Sequence, residues 1–156
     1  MANSNKYLFF CKKCNCSSSS TTLHKKHLHE IREIPNFLFD QYLFEELIGF
    51  GGSGGVFRVF DPAIQIKKAI KIIFDMDEED EMDLNIMRTI NHQYLINYFG
   101  EGRDIAKGWG FICMELADMD LKKAIEQNIF DSEEKKYTVL EQICKGVSYL
   151  HLELEV

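Results

Sequence analysis

The sequence predicts an α+β fold, a five-stranded antiparallel sheet with one helix beside it and a helical segment after it. Three observations carry this expectation. Between residues 43 and 74, three runs rich in β-branched and aromatic residues are separated by a glycine-rich turn and by Asp61-Pro62-Ala63. An acidic stretch then opens a pattern of helical period, and two further strand-like runs follow it. The remainder reads as helix, so strands and helices are segregated along the chain rather than alternating.

Bulk properties bound the function. The 156 residues give room for one domain with a real core. An apolar fraction of 46% and a charged fraction of 28% are those of a soluble globular protein. A net charge of -7 argues against a dedicated nucleic-acid binder. No apolar run is long enough to span a membrane, and Tyr7-Leu8-Phe9-Phe10 lacks the length and cleavage site of a signal peptide. Five cysteines, an odd number, fit a reducing compartment and hence the cytoplasm.

Residues 1–36 differ in texture from the rest. Cys11-x-x-Cys14 and His24-x4-His29 have spacings found in Cys₂His₂ zinc sites, which makes these four residues zinc candidates. The interval between the pairs is only nine residues, it is occupied largely by the Ser17–Thr22 run, and it holds little apolar material to pack behind a metal. A disordered tail, ending in a charged linker with Pro35, is therefore expected.

From Phe37 the chain becomes aromatic and apolar and leads into Gly49 as a first strand. Gly49, Gly51 and Gly54 form a G-x-G-x-x-G array with Val56 two residues on. A dinucleotide fingerprint would open a helix at this point, but Val56, Phe57, Val59 and Phe60 continue as a strand. No Gly-Lys-Ser/Thr follows, which excludes a P-loop. Residues without Cβ let a hairpin tip approach phosphate oxygens and aim backbone N–H groups at them. A third strand ends Ala69-Ile70-Lys71-Ile72-Ile73-Phe74, placing a lysine point charge near that tip. The acidic run from Asp75 predicts a helix over about 77–90, with Met82, Ile86 and Ile90 as its apolar stripe. Residues 95–102 and 111–114 supply strands four and five. A long helix from Asp131 to His151 is expected, with Asp131 and Glu134 as its N-terminal pair and Leu140, Ile143, Val147 and Leu150 as its apolar stripe.

Strand, glycine turn, strand, turn and a strand ending in Ala-x-Lys together resemble the start of a eukaryotic-type protein kinase domain. The resemblance runs from about Phe37 to His151 and implies an N-lobe over 37–114 with one αC-type helix, a hinge over 115–118, and two helices of an incomplete C-lobe over 119–156. It further implies an ATP site made of Ile48, Gly49, Gly51, Gly52, Ser53, Gly54, Val56, Ala69, Lys71, Met114, Glu115, Ala117, Asp120 and Leu121. In the family Val56 and Ala69 flank the adenine, and Lys71 meets the α- and β-phosphates. Backbone groups of Glu115 and Ala117 pair with the base, Asp120 meets the ribose, and Leu121 lies beneath the adenine. Nine residues before His92, where the family carries a helix glutamate that orients the lysine, stands Asp83, with Glu79 one turn earlier as the alternative. Met87 and Tyr98 fall where the family stacks its apolar spine. Lys68 departs from the pattern, which has an apolar residue before the alanine.

The same resemblance implies Ser/Thr-directed phosphoryl transfer from ATP with Mg²⁺. Neither His-Arg-Asp nor Asp-Phe-Gly occurs in the 156 residues, so the base and the Mg²⁺ ligands of the complete kinase are absent from them. The expectation is a truncated domain, inactive as given. Its alternative is a non-catalytic kinase-like binding or regulatory module whose N-lobe holds a partner; a protein substrate or partner is also expected at the missing or exposed C-lobe surface, where the apolar stripe of the last helix is left open.

Overall fold

The computed structural model describes residues 9–11, 16–18, 31–33, 36–51, 54–104 and 108–153. Three short strands, β1 (Phe9–Cys11), β2 (Cys16–Ser18) and β3 (Ile31–Glu33), pair antiparallel with β1 in the centre. These strands fall within the segment expected to be a tail, and Phe9, Phe10 and Ile31 are residues that favour strands. Cys14, His24 and His29 lie outside the described residues, and Cys11 is described only as backbone within β1.

A short helix, α1 (Asn36–Gln41), precedes the main sheet. That sheet comprises β4 (Leu43–Gly51), β5 (Gly54–Asp61), β6 (Ile66–Phe74), β7 (Tyr98–Asp104) and β8 (Trp109–Met114), antiparallel throughout in the order β4-β5-β6-β8-β7. Strand periodicity splits its side chains between two faces. On one, Phe57, Val59, Ile70, Ile72, Phe74, Trp109, Phe111 and Cys113 are buried together, and Leu38 of α1 seals them at 0% exposure. The sequence shows a first strand here but not α1, because six residues are too few to display a helical period.

On the opposite face Ile73 of β6 and Ile112 of β8 meet α2 (Glu78–Thr89) through Leu84, with Met76, Met87 and Tyr98 around them. The helix starts where the acidic run predicts. Asp77 is its N-cap, the Asp80 amide donating to Asp77 Oδ1 at 2.9 Å while Asp80 reaches back to the Asp77 amide. The expected stripe is corrected, however. Met82 is 65% exposed, and Leu84 is the buried residue.

Two helices follow the sheet. In α3 (Leu121–Glu126), Asp120 is the N-cap, and Asn128, at φ 53°, closes the C-terminal turn in the left-handed region that Asn tolerates. In α4 (Glu133–Glu153) the cap is Ser132, whose Oγ accepts from the Lys135 amide at 3.3 Å, rather than Asp131, which pairs with the Lys135 ammonium at 2.7 Å. A Cβ on buried Gly146 of α4 would stand 3.2 Å from both the Leu95 side chain and the Tyr94 carbonyl. His92 stacks on Tyr149 with ring centroids 4.8 Å apart. These contacts seat α4 against the loop between α2 and β7. Among the described residues Leu140, Ile143 and Val147 of α4 remain exposed, and no helix is long and apolar enough to cross a membrane.

Candidate functional site

The site is built where β4, β5 and β6 face the segment after β8. In the ladder Val56 stands opposite both Gly49 and Lys71, and Ala69 stands opposite Arg58 and Met114. Val56 of β5 and Ala69 and Lys71 of β6 thereby come onto one surface. A cleft of about 570 Å³ opens there, lined by Ile48, Gly49, Val56, Ala69, Met114, Glu115, Ala117 and Asp120 of the predicted set. Lys71 is not among the residues that line the cleft; it lies two residues beyond Ala69 along β6, on the same face and about 7 Å further along the strand.

The segment after β8 is held rigidly. The Glu115 amide donates to the Asn97 carbonyl at 2.9 Å, and the Glu115 carboxylate accepts from Asn97 Nδ2 at 2.8 Å and from the Asn97 amide at 3.2 Å. Among the described residues the Glu115 carbonyl and the Ala117 amide have no backbone hydrogen-bond partner. An acceptor followed two residues later by a donor, set at the edge of an apolar cleft, matches the hydrogen-bonding edge of a purine.

Not every predicted residue falls in the cleft. Gly52 and Ser53 lie outside the described residues, and Gly51 ends β4 opposite Gly54. Gly54 is required by packing, since a Cβ there would stand 1.8 Å from the Ile72 carbonyl oxygen. Leu121 lines a separate cavity of about 350 Å³ with Ile125 of α3 and Val139, Leu140 and Ile143 of α4. As the first residue of α3 it shares a face with Ile125, and that face turns to α4. Asp120 does line the cleft, but its carboxylate is engaged as the α3 N-cap, accepting from the Lys123 amide at 2.7 Å.

Neither Asp83 nor Glu79 forms an ion pair with Lys71 among the described residues, and both acids are exposed on α2. Instead α2 is tied to β7. Arg103 pairs with Glu81, Arg88 pairs with Glu101, and Arg103 Nη2 reaches Glu101 Oε1 at 3.2 Å. Tyr98 donates its hydroxyl to Glu101 Oε2 at 3.1 Å.

Arg58, Lys67 and Glu46 also line the cleft and were missed by the sequence reading. Two-residue alternation from Val56 and from Ala69 would have found Arg58 and Lys67. Arg58 pairs with Glu45 at 3.0 Å and with Glu46 at 2.6 Å, and Lys67 pairs with Glu45 at 2.9 Å. A charged strap thus crosses all three strands at the mouth of the cleft. Lys68, the departure noted above, points to the other face and is buried against Asp61 at 2.8 Å, with Nζ 5.4 Å from the Phe99 ring centroid. Tyr42 beside it is pushed up to about 12, first by burial and then by Cys113 and Asp61.

Among the described residues no group of three or more His, Cys, Asp or Glu side chains is placed to hold a metal ion. Residues 42–156 match the family model described as "Protein kinase domain". The chain is 26% identical over 113 residues to "Serine/threonine-protein kinase pakG" of Dictyostelium discoideum, an alignment covering 70% of this chain and 9% of that protein. It is 27% identical over 117 residues to "Serine/threonine-protein kinase 33" of Mus musculus, covering 70% of this chain and 23% of that one. It is 29% identical over 124 residues to "Cell division control protein 2 homolog 3" of Trypanosoma brucei brucei, covering 72% and 38%. The chain therefore spans well under half the length of these relatives.

Proposed function

Since the chain belongs to the protein kinase domain family, we propose that its cleft is the nucleotide-binding half of a Ser/Thr-type phosphotransferase and that it takes ATP. The observation that carries this is the cleft itself. It sets Val56 and Ala69 against the backbone edge of Glu115 and Ala117, and Lys71 stands opposite Val56 in the ladder, two residues beyond Ala69. Adenine fits the slot and hydrogen-bonds to that edge, and the triphosphate extends toward Lys71 and the glycine turn between β4 and β5.

The 156 residues hold nucleotide without transferring its phosphate. Transfer depends on positioning an acceptor hydroxyl and on metal-assisted charge stabilisation. Neither the His-Arg-Asp base nor an Asp-Phe-Gly metal ligand is among these residues. Joined to a segment that supplied those groups, the cleft would serve the transfer. Without one, it serves as a nucleotide-holding binding module. The odd cysteine count, with Cys113 and Cys144 both free thiols, supports a reducing, cytoplasmic location.

Isothermal titration with ATP tests the reading. Lys71→Met removes the phosphate contact, and Ala117→Pro removes the amide donor to the base. Each is expected to weaken binding at least about tenfold, the value of one well-placed charged or buried hydrogen bond. Binding that survives both substitutions would place the nucleotide elsewhere.

A further inference from the structure

The strands at the start of the chain set two cysteines at one register position. In the β1–β2 ladder Phe9 stands opposite Ser18, Phe10 opposite Ser17 and Cys11 opposite Cys16. Directly opposite residues of an antiparallel pair have Cα atoms about 4.5–5.5 Å apart. A disulfide spans about 4.4–6.8 Å between Cα atoms, so this register admits one without moving the backbone. The pair stands at the end of the hairpin, joined by Lys12-Lys13-Cys14-Asn15. The other two described cysteines have no such place. Cys113 is buried in the main sheet and Cys144 is exposed on α4, both as free thiols.

Local chemistry favours reaction at this position. The thiolate is the attacking form in thiol–disulfide exchange, and neighbouring positive charge favours it. Lys12 follows Cys11 directly, and residues 1–36 hold six Lys or Arg against two Asp or Glu, although the whole chain carries -7. Such a basic segment attracts an anionic reagent. The bond would also have a structural consequence. β1, β2 and β3 are three residues each, the lower limit for a strand, so few ladder hydrogen bonds hold them. β1 is central, and a link from it to β2 firms the strand on which β3 also pairs.

We propose that Cys11 and Cys16 form a reversible redox site whose co-substrate is a low-molecular-weight disulfide of the glutathione type. One thiolate of the pair attacks a sulfur of glutathione disulfide. The reagent's S–S bond breaks, a mixed disulfide forms and one glutathione thiolate leaves. The second cysteine thiolate then attacks the protein sulfur of the mixed disulfide, forming the Cys11–Cys16 bond and releasing the second glutathione thiolate. Two protein thiols are oxidised, one glutathione disulfide is reduced, and the two thiol protons end on the two glutathione molecules. A reducing pool keeps the pair open, and a rise in disulfide closes it. This pairing competes with the zinc set, which shares Cys11.

The test equilibrates the full 156-residue chain in glutathione buffers of rising disulfide content, alkylates it, and maps the linked peptides by mass spectrometry. The Cys11–Cys16 link is expected in the parent and in Cys14→Ser. Cys14→Ser is expected to close at about one-tenth of the glutathione disulfide that Cys16→Ser needs to link Cys11 with Cys14. Hydrogen exchange at the Phe10 and Ser17 amides is expected to slow about tenfold on closing. Equal midpoints for the two variants, links formed only between chains, or exchange unchanged by closing would each overturn the proposal. So would about one zinc ion retained per chain with Cys11 protected from alkylation until a chelator is added, which would assign a metal site instead.

Discussion

Asp61→Asn is expected to lower the unfolding free energy by about 3 kcal/mol, because it leaves the Lys68 ammonium buried without its counter-charge. The two side chains are 13% and 11% exposed and meet at 2.8 Å, so water can replace little of the lost interaction. Asparagine keeps the oxygen that accepts from the Ala63 amide at 3.0 Å, which isolates the charge from the turn it also caps. Adding Lys68→Met is expected to restore stability to within about 1 kcal/mol of the parent, since a well-packed apolar side chain commonly matches a buried ion pair. Urea denaturation at neutral pH measures both. A loss under about 1 kcal/mol in Asp61→Asn would mean that the pair contributes nothing net.

The same pair gives a pH signature. The hydrogen bond from Lys68, helped by the Ala63 amide and the Lys68 charge, holds the folded Asp61 carboxyl below its ordinary range despite burial. A depressed folded pKa stabilises the native state fully above the unfolded value near about 4, and the contribution fades as the pH falls through the folded value. Parent and Asp61→Asn stabilities should therefore converge in acid and separate toward neutrality. Parallel curves would remove Asp61 as the source.

The parts that the sequence makes legible are those where local chemistry and tertiary packing agree. β5 and β6 are visible because Val56, Phe57, Val59, Ile70, Ile72 and Ile73 favour strands and are also buried or half-buried there. The start of α2 is visible because Asp77 and Asp80 satisfy the first turn by themselves. Which residue α2 buries is not, since Met82/Ile86/Ile90 and Leu84/Met87 both obey helical spacing and only Ile73 and Ile112 decide between them. Ser132 displaces Asp131 as the α4 cap for a similar reason, both being good caps one residue apart. Leu121 and the Lys71 partner came from resemblance alone, and the contacts around them are ones that spacing cannot show. Ile125 turned Leu121 toward α4, and Glu101 tied α2 to β7. Lys68 is the instructive departure: a charge in an apolar pattern that is legible as an anomaly, while its answer, Asp61, lies seven residues away across the hairpin.

Two glycines of one motif are expected to behave in opposite ways when a methyl group is added. A Cβ at Gly54 would stand 1.8 Å from the Ile72 carbonyl oxygen and 2.9 Å from its carbon, so the backbone of β6 must move. No rotamer change can relieve a clash between main chains. Gly54→Ala is therefore expected to cost about 3 kcal/mol, the upper range for an overpacked interior. At Gly49 the added carbon would meet Val56 Cβ at 3.7 Å and Cγ2 at 3.9 Å, ordinary contact distances. Gly49→Ala is expected to stay within about 0.5 kcal/mol of the parent. Thermal unfolding separates the two outcomes, and ATP titration adds the functional half. Gly54 pairs with Ile73, two residues from Lys71, so the β6 shift that accommodates alanine displaces the ammonium as well, and Gly54→Ala should lose affinity along with stability. Equal melting temperatures for the two variants would show that β5 does not press on β6 at this point. The motif's last glycine would then be there for the phosphates alone.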